Sequence, residues 1–211
     1  MATHFARGIL TEGHLISVRL PSQCHQEARN LPPHRQSRFL ASRGLLAELM
    51  FMLYGISELP EIVIQNKGKP VFRDSNLPAF SISYAGNMIG VALATEGVCG
   101  LDMELQRATR SFHSPHAPDN PIFSSNETLW ISKQNDPNEA RAQLISLRRS
   151  VLKLTGDVLN DEPRLCYRWQ PYCWHSRWQS ANDQSGRNWL RIIGSGRCQL
   201  CIAGRYTGKR R

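Results

Sequence analysis

Residues 97–105 read GVCGLDMEL, an apolar run that ends in two carboxylates two positions apart. In an extended strand residues i and i+2 share a face, so Asp102 and Glu104 point one way while Leu101 and Met103 point the other. Like charges held that close repel unless a cation or a proton lies between them. The stretch therefore predicts a strand and poses a question: what neutralises its acidic face?

The pattern immediately upstream predicts partners for that strand. FSISY (80–84), a turn at Ala85–Asn87 and MIGVALAT (88–95) form a hairpin. EIVI (61–64) is a short strand, and QNKGKPVF (65–72) a turn carrying two lysines. Further back, RQSRFLASRGLLAELMFMLYG (35–55) has apolar residues at 39, 40, 45, 46, 49, 50 and 53, the spacing of an amphipathic helix. Gly55 is placed to stop it. HLISVRL (14–20) alternates and predicts a strand, with a polar, Pro-containing loop over 22–34.

Downstream the texture changes. RATRSFHSPHAPDNP (107–121) is rich in Pro, His and Ser, reads as a loop, and marks a boundary between halves 1–105 and 106–211. A short helix is expected around 124–133. The stretch from Asp136 to Gly156 carries helix punctuation, with Asp136 as N-cap, Pro137 at the first position, Glu139 three after the cap and Gly156 as the stop. LCYRWQPYCWHSRW, NWLRIIG and CQLCIAGRYTG read as strands and turns. The order strand, long helix, strands, then helix, strands predicts an α+β chain. Its two halves are of similar make-up, each a small, mainly antiparallel sheet with a packed helix.

Composition sets bounds on function. With 211 residues and 41% hydrophobic content the chain can bury a core, and its net charge of +9 favours an anionic partner. The longest near-apolar stretch, Leu45 to Ile56, is too short to cross a bilayer and contains Glu48. MATHFARGILTEGHLISVRL lacks a signal-peptide core. The six cysteines show no tight disulfide framework, which argues for a reducing, cytoplasmic setting. A zinc site built from Cys198, Cys201, Cys166, Cys173 and His175 is the weaker reading of CQLC, because RCQLCIAGRY alternates like a strand and would send Cys198 and Cys201 to opposite faces. SVLK (150–153) fits S-x-x-K, but without its companion motifs it carries no acyl-enzyme reading.

RFLASRGLL (38–46), GKPVF (68–72), FSISYAG to VCGLDME (80–104) and FSSNE to RRSVLKLTG (123–156) stand in an order that resembles the 4′-phosphopantetheinyl transferase superfamily. The likeness is to its longer branch, in which two similar halves form a pseudo-dimer within one chain. It implies an enzyme that binds coenzyme A with Mg²⁺ and transfers the phosphopantetheine arm to a serine of an acyl or peptidyl carrier protein, releasing 3′,5′-ADP. Mg²⁺ takes hard oxygens, commonly one or two carboxylates with phosphate oxygens and water. The resemblance makes Asp102 and Glu104 the metal ligands and Lys69 a partner of the 3′-phosphate. It puts Arg38 and Arg43 on an adenosine-phosphate-binding helix, gives Ser83 and Tyr84 to the coenzyme, and sets Lys153 against the pyrophosphate. A monomer and an acidic carrier protein are implied, the carrier steered by the basic surface.

Three departures from the family pattern carry consequences. Ser81 and Tyr84 stand where the family has Asn and His, and a tyrosine cannot bring histidine's positive charge to a phosphate. Arg149 stands where the family has a glutamate that serves as metal ligand and candidate base, with Ile145 in place of the preceding Trp. Arginine stays protonated and can do neither job. It can instead pair with the pyrophosphate, with Glu127 supplying the missing carboxylate. Two alternatives follow: a relative that binds coenzyme A or carrier protein without transfer, and a basic nucleic-acid-binding module suggested by the charge, the five Trp and the GKRR tail.

Overall fold

The computed structural model describes residues 3–10, 17–65, 68–105, 123–155, 175–176, 188–195 and 198–205. MIGVALAT is apolar on both alternations, which suits a strand covered on both faces. Strand β5 (Met88–Ala94) is that strand, and it pairs antiparallel with β4 (Ala79–Ala85) and with β1 (Thr3–Ile9) in the order β1-β5-β4. One face of β5, Val91 and Leu93, packs with Phe80 against Leu46, Leu49 and Met50 of helix α2 (Pro33–Tyr54). The opposite face, Ala92 and Ala94, packs against Cys99, Leu101 and Met103 of β6 (Val98–Leu105). The three-stranded sheet is thus a layer between α2 and β6.

β6 does not extend that sheet. It pairs antiparallel with β9 (Cys198–Arg205), which continues through β8 (Asn188–Ser195) to β7 (His175–Ser176). Its other edge is satisfied by side chains: Leu101 N–H donates to Ser81 Oγ at 2.9 Å and Met103 N–H to Ser83 Oγ at 3.1 Å. Two serines on alternate positions of β4 thereby replace a backbone ladder. A strand within 1–105 is in this way shared with a sheet whose other members lie in 106–211.

Helix α4 (Pro137–Thr155) crosses β6 at close range. A Cβ on Gly100 would lie 2.0 Å from Ser150 O and 2.6 Å from Leu154 N, so only glycine admits the helix there. Ser146 and Ser150, both fully buried, keep the facing side of the helix small, and Ser146 Oγ donates to the Asp102 carbonyl at 3.0 Å. Asp136 Oδ1 accepts from the N–H groups of Asn138 and Glu139, the cap expected at that position. Helix α3 (Ser125–Ser132) opens with a capping box between Ser124 and Glu127. The short strands β2 (Ile62–Ile64) and β3 (Pro70–Phe72) pair across the GKP turn, and Gly55 ends α2 with a left-handed φ of 70°.

Small antiparallel sheets and packed helices make the α+β architecture read from the pattern. Two local expectations are corrected. Residues 17–20 form a turn rather than the end of a strand: Ser17 Oγ donates to Glu48 Oε1 at 2.6 Å and accepts Arg19 N–H, while Val18 is exposed. Residues 22–29 are helix α1 (Ser22–Arg29) rather than loop, because Cys24 and Ala28, four apart, give a polar segment one buried stripe. β1 was not anticipated; Arg7 and Gly8 blur its alternation, which an edge strand tolerates. Gly156, Cys166, Cys173 and the 107–121 stretch lie outside the described residues. No described helix is long and apolar enough to cross a membrane.

Candidate functional site

A strand places residues i and i+2 about 6.6–6.8 Å apart, and a helix places i and i+4 about 6 Å apart. Asp102 and Glu104 on β6 therefore match the spacing of Lys153 and Arg149 on α4, which runs antiparallel to the strand. The structure pairs them in that register. Lys153 Nζ donates to Asp102 Oδ1 at 2.7 Å, and Arg149 donates to Glu104 Oε1. The acidic pair is neutralised by two side chains of one helix.

The inner pair is the more constrained. Asp102 is 4% exposed. Its Oδ1 takes Lys153 and, at 3.3 Å, the hydroxyl of the fully buried Ser83, whose oxygen accepts a second donor from Lys153 at 3.1 Å. Burial raises the Asp102 carboxyl above its ordinary value, against the pull of Lys153, Arg149 and Ser83. Its Oδ2 is buried and has no hydrogen-bond donor among the described residues. A hard, desolvated carboxylate oxygen left without a donor fits a magnesium ion, which needs one or two such oxygens when phosphate supplies others. The described residues contain no cluster of three His, Cys, Asp or Glu side chains.

The outer pair sits nearer solvent, with the Arg149 side chain 58% exposed and Glu104 25%. Four N–H donors of the guanidinium remain beyond the one spent on Glu104 among the described residues.

The other candidate residues lie elsewhere. Ser83 and Tyr84 are adjacent on β4 and so face opposite sides. Tyr84 turns toward α2, where its hydroxyl donates to Ser42 Oγ at 2.8 Å; Arg43 donates to the same oxygen at 3.2 Å and stacks on Phe39 at 3.6 Å. Burial lowers the Arg43 guanidinium, with Tyr84 working the other way. Arg38 donates to the Gly86 carbonyl at 2.7 Å in the β4–β5 turn. Lys69 reaches the C-terminal end of α4, donating to Leu154 O at 3.1 Å and to Cys99 O at 3.4 Å, and burial lowers its pKa. Glu127 is buried; its Oε2 accepts from Ser124 N–H and Oγ and from Arg148 at 2.6 Å. These contacts give Lys69 and Glu127 anchoring partners outside the Asp102–Lys153 group.

Four contributors escaped the reading of the sequence. Gly100 carried a signal, a glycine inside a strand pattern. Ser42, Ser146 and Ser150 carried none, since small polar residues on a helix announce no partner.

No protein-family model matches the chain. It is 90% identical over 164 residues to the uncharacterized protein YieE of Escherichia coli strain K12, covering 78% of this chain and 66% of that protein. It is 34% identical over 93 residues, 44% of each chain, to the 4′-phosphopantetheinyl transferase AcpT of Escherichia coli strain K12. To AcpT of Salmonella typhi it is 33% identical over 124 residues, 58% of this chain and 60% of that protein. The chain thus spans 66% of the length of the YieE relative and less of the AcpT proteins. The partial likeness to AcpT suggests the 4′-phosphopantetheinyl transferase superfamily and a transferase-like function.

Proposed function

We propose that the protein transfers the 4′-phosphopantetheine arm of coenzyme A to a serine of an acyl or peptidyl carrier protein. The carrying observation is the buried Asp102, held by Lys153 and Ser83 with Oδ2 unclaimed among the described residues. The resemblance assigned this residue to a cation, and its surroundings suit one. Mg²⁺ bound there would neutralise charge on the diphosphate and on the departing 3′,5′-ADP. Lys153 sits where its ammonium can hold a phosphate oxygen, and Arg149 presents a fork that matches phosphate geometry. In the reaction the serine oxygen bonds to the β-phosphorus, the bond from that phosphorus to the bridging oxygen breaks, and the serine proton passes to water. Arg38, Arg43 and Tyr84 take the adenosine end on the α2 side of β4, and Lys69 the 3′-phosphate.

The partner on this reading is an acidic carrier domain, met by a monomer in the cytoplasm; the free thiols of Cys24 and Cys99 accord with a reducing setting. The deciding assay incubates the protein with coenzyme A, Mg²⁺ and several apo carrier proteins. Mass spectrometry should find one phosphopantetheine added to the carrier serine. No gain on any carrier, with coenzyme A still bound, would support the second reading, a relative that binds without transferring. That reading draws on Arg149, an engaged cation where the family's glutamate would stand.

A further inference from the structure

The carboxylates Asp102 and Glu104 and the cations Lys153 and Arg149 form a quartet of zero net charge. Glutamate at 149 would leave the same four positions at minus two, a difference equal to the charge of one divalent ion. Arg149 is also built to face outward. Glu104 holds one of its N–H groups from below, more than half of the side chain is exposed, and the remaining donors form a planar fork of the kind that grips phosphate bidentately. Behind it, Lys153 spends two of its three donors on Asp102 and Ser83 among the described residues, leaving one. The buried Asp102 Oδ2, without a hydrogen-bond donor among the described residues, belongs to the carboxylate that Lys153 holds.

We infer that Arg149 is a built-in counter-ion for the diphosphate, positioned by Glu104, so that the site binds a diphosphate ester without requiring a divalent cation. Glu104 then acts as the positioning residue of Arg149 rather than as a metal ligand, and Asp102 alone remains to hold any cation the chemistry recruits. The inference rests on reading this face as the coenzyme A diphosphate site. It concerns how the diphosphate is held, and leaves open whether transfer follows.

Calorimetry with coenzyme A and, separately, inorganic pyrophosphate, each in EDTA and in Mg²⁺, tests it on the whole chain. The wild type should bind coenzyme A in EDTA within about tenfold of its affinity in Mg²⁺, since charge-assisted bonds to Arg149 persist. Arg149→Gln should lose that metal-free binding, Arg149→Lys should keep part of it, and Arg149→Glu should bind only with Mg²⁺. Glu104→Gln should weaken binding in EDTA several-fold by freeing the guanidinium, and Glu104→Asp should restore part of it. Wild-type binding that disappears in EDTA, with Arg149→Gln equal to wild type in Mg²⁺, would overturn the inference and leave the transferase reading standing. Pyrophosphate bound in EDTA without any coenzyme A binding would overturn the coenzyme A reading and the inference that rests on it. No binding of either probe in either buffer would sink both.

Discussion

At the scale of single residues, the two members of the Asp102–Lys153 pair are not equivalent. The aspartate is 5% exposed at its side chain and the lysine 36%. Removing the lysine strands a carboxylate that cannot reach water, whereas removing the carboxylate leaves an ammonium on a long stem that can. Lys153→Met should therefore cost about 3 kcal/mol, the low end for breaking a buried pair because the lysine is partly solvated. Asp102→Asn should cost about 1 kcal/mol, keeping a hydrogen-bonding group of the same shape. Urea unfolding of the two variants gives the comparison, and equal losses would contradict it. The pH dependence has a definite sign. Asp102 is raised by burial, so its contribution is complete below its ordinary value of 3.8 and declines as pH rises through the folded value. The Lys153→Met deficit should accordingly shrink as the buffer is made acidic and the stranded carboxyl takes up a proton.

At the scale of elements, the contact between α4 and β6 places Lys153 over Asp102 and Arg149 over Glu104 at once. That contact depends on the absence of a side chain at Gly100. The atoms a Cβ would meet are backbone, Ser150 O and Leu154 N, which cannot swing aside as a side-chain tip can. Gly100→Ala should thus push the helix off the strand and cost about 3 kcal/mol or more, at or beyond the upper range for overpacking. It should also weaken coenzyme A binding through the displaced register. Gly86 offers a control: there the clash at 2.6 Å is with the end of the Leu105 side chain, although its φ of 61° adds backbone strain. Chemical denaturation and calorimetry on Gly100→Ala and Gly86→Ala should show the larger loss of binding at 100. A Gly100→Ala protein with unchanged stability would show that helix and strand are not packed this closely.

At the scale of the whole molecule, Lys69 joins parts of the chain that are far apart in sequence, carrying β3 to the last turn of α4 and to the start of β6. Its bond to the Leu154 carbonyl spans 85 residues. A cation at a helix C-terminus is favourably placed against the dipole, yet burial lowers the Lys69 pKa below its ordinary 10.5. For a lowered pKa the contribution to stability is complete above the unfolded value and is lost as pH falls through the folded one. Wild type should therefore gain stability relative to Lys69→Met as pH rises toward 10.5. Thermal melts across the alkaline range read this difference directly, and a flat or falling difference would mean that burial does not burden the lysine.

Much of the architecture was legible because it is local. Two-residue alternation marked β4 and the acidic end of β6, a continuous apolar run marked β5, apolar spacing marked α2, and Asp136, Pro137 and Gly55 marked helix ends, each a property of neighbours along the chain. The acidic face of β6 could be read for the same reason, since Asp102 and Glu104 share a side by pleat geometry alone. What answered that acidity could not be read locally, because the ion pairs join residues 51 and 45 positions apart. Only packing of α4 on β6, set by Gly100 and the small faces of Ser146 and Ser150, brought two cations into register with two anions. The same packing gave Lys69 its anchoring contacts, the carbonyls of Cys99 and Leu154. Sequence named the charged groups; folding chose their partners, because electrostatic neutralisation in a buried layer is decided by distance in space and not along the chain.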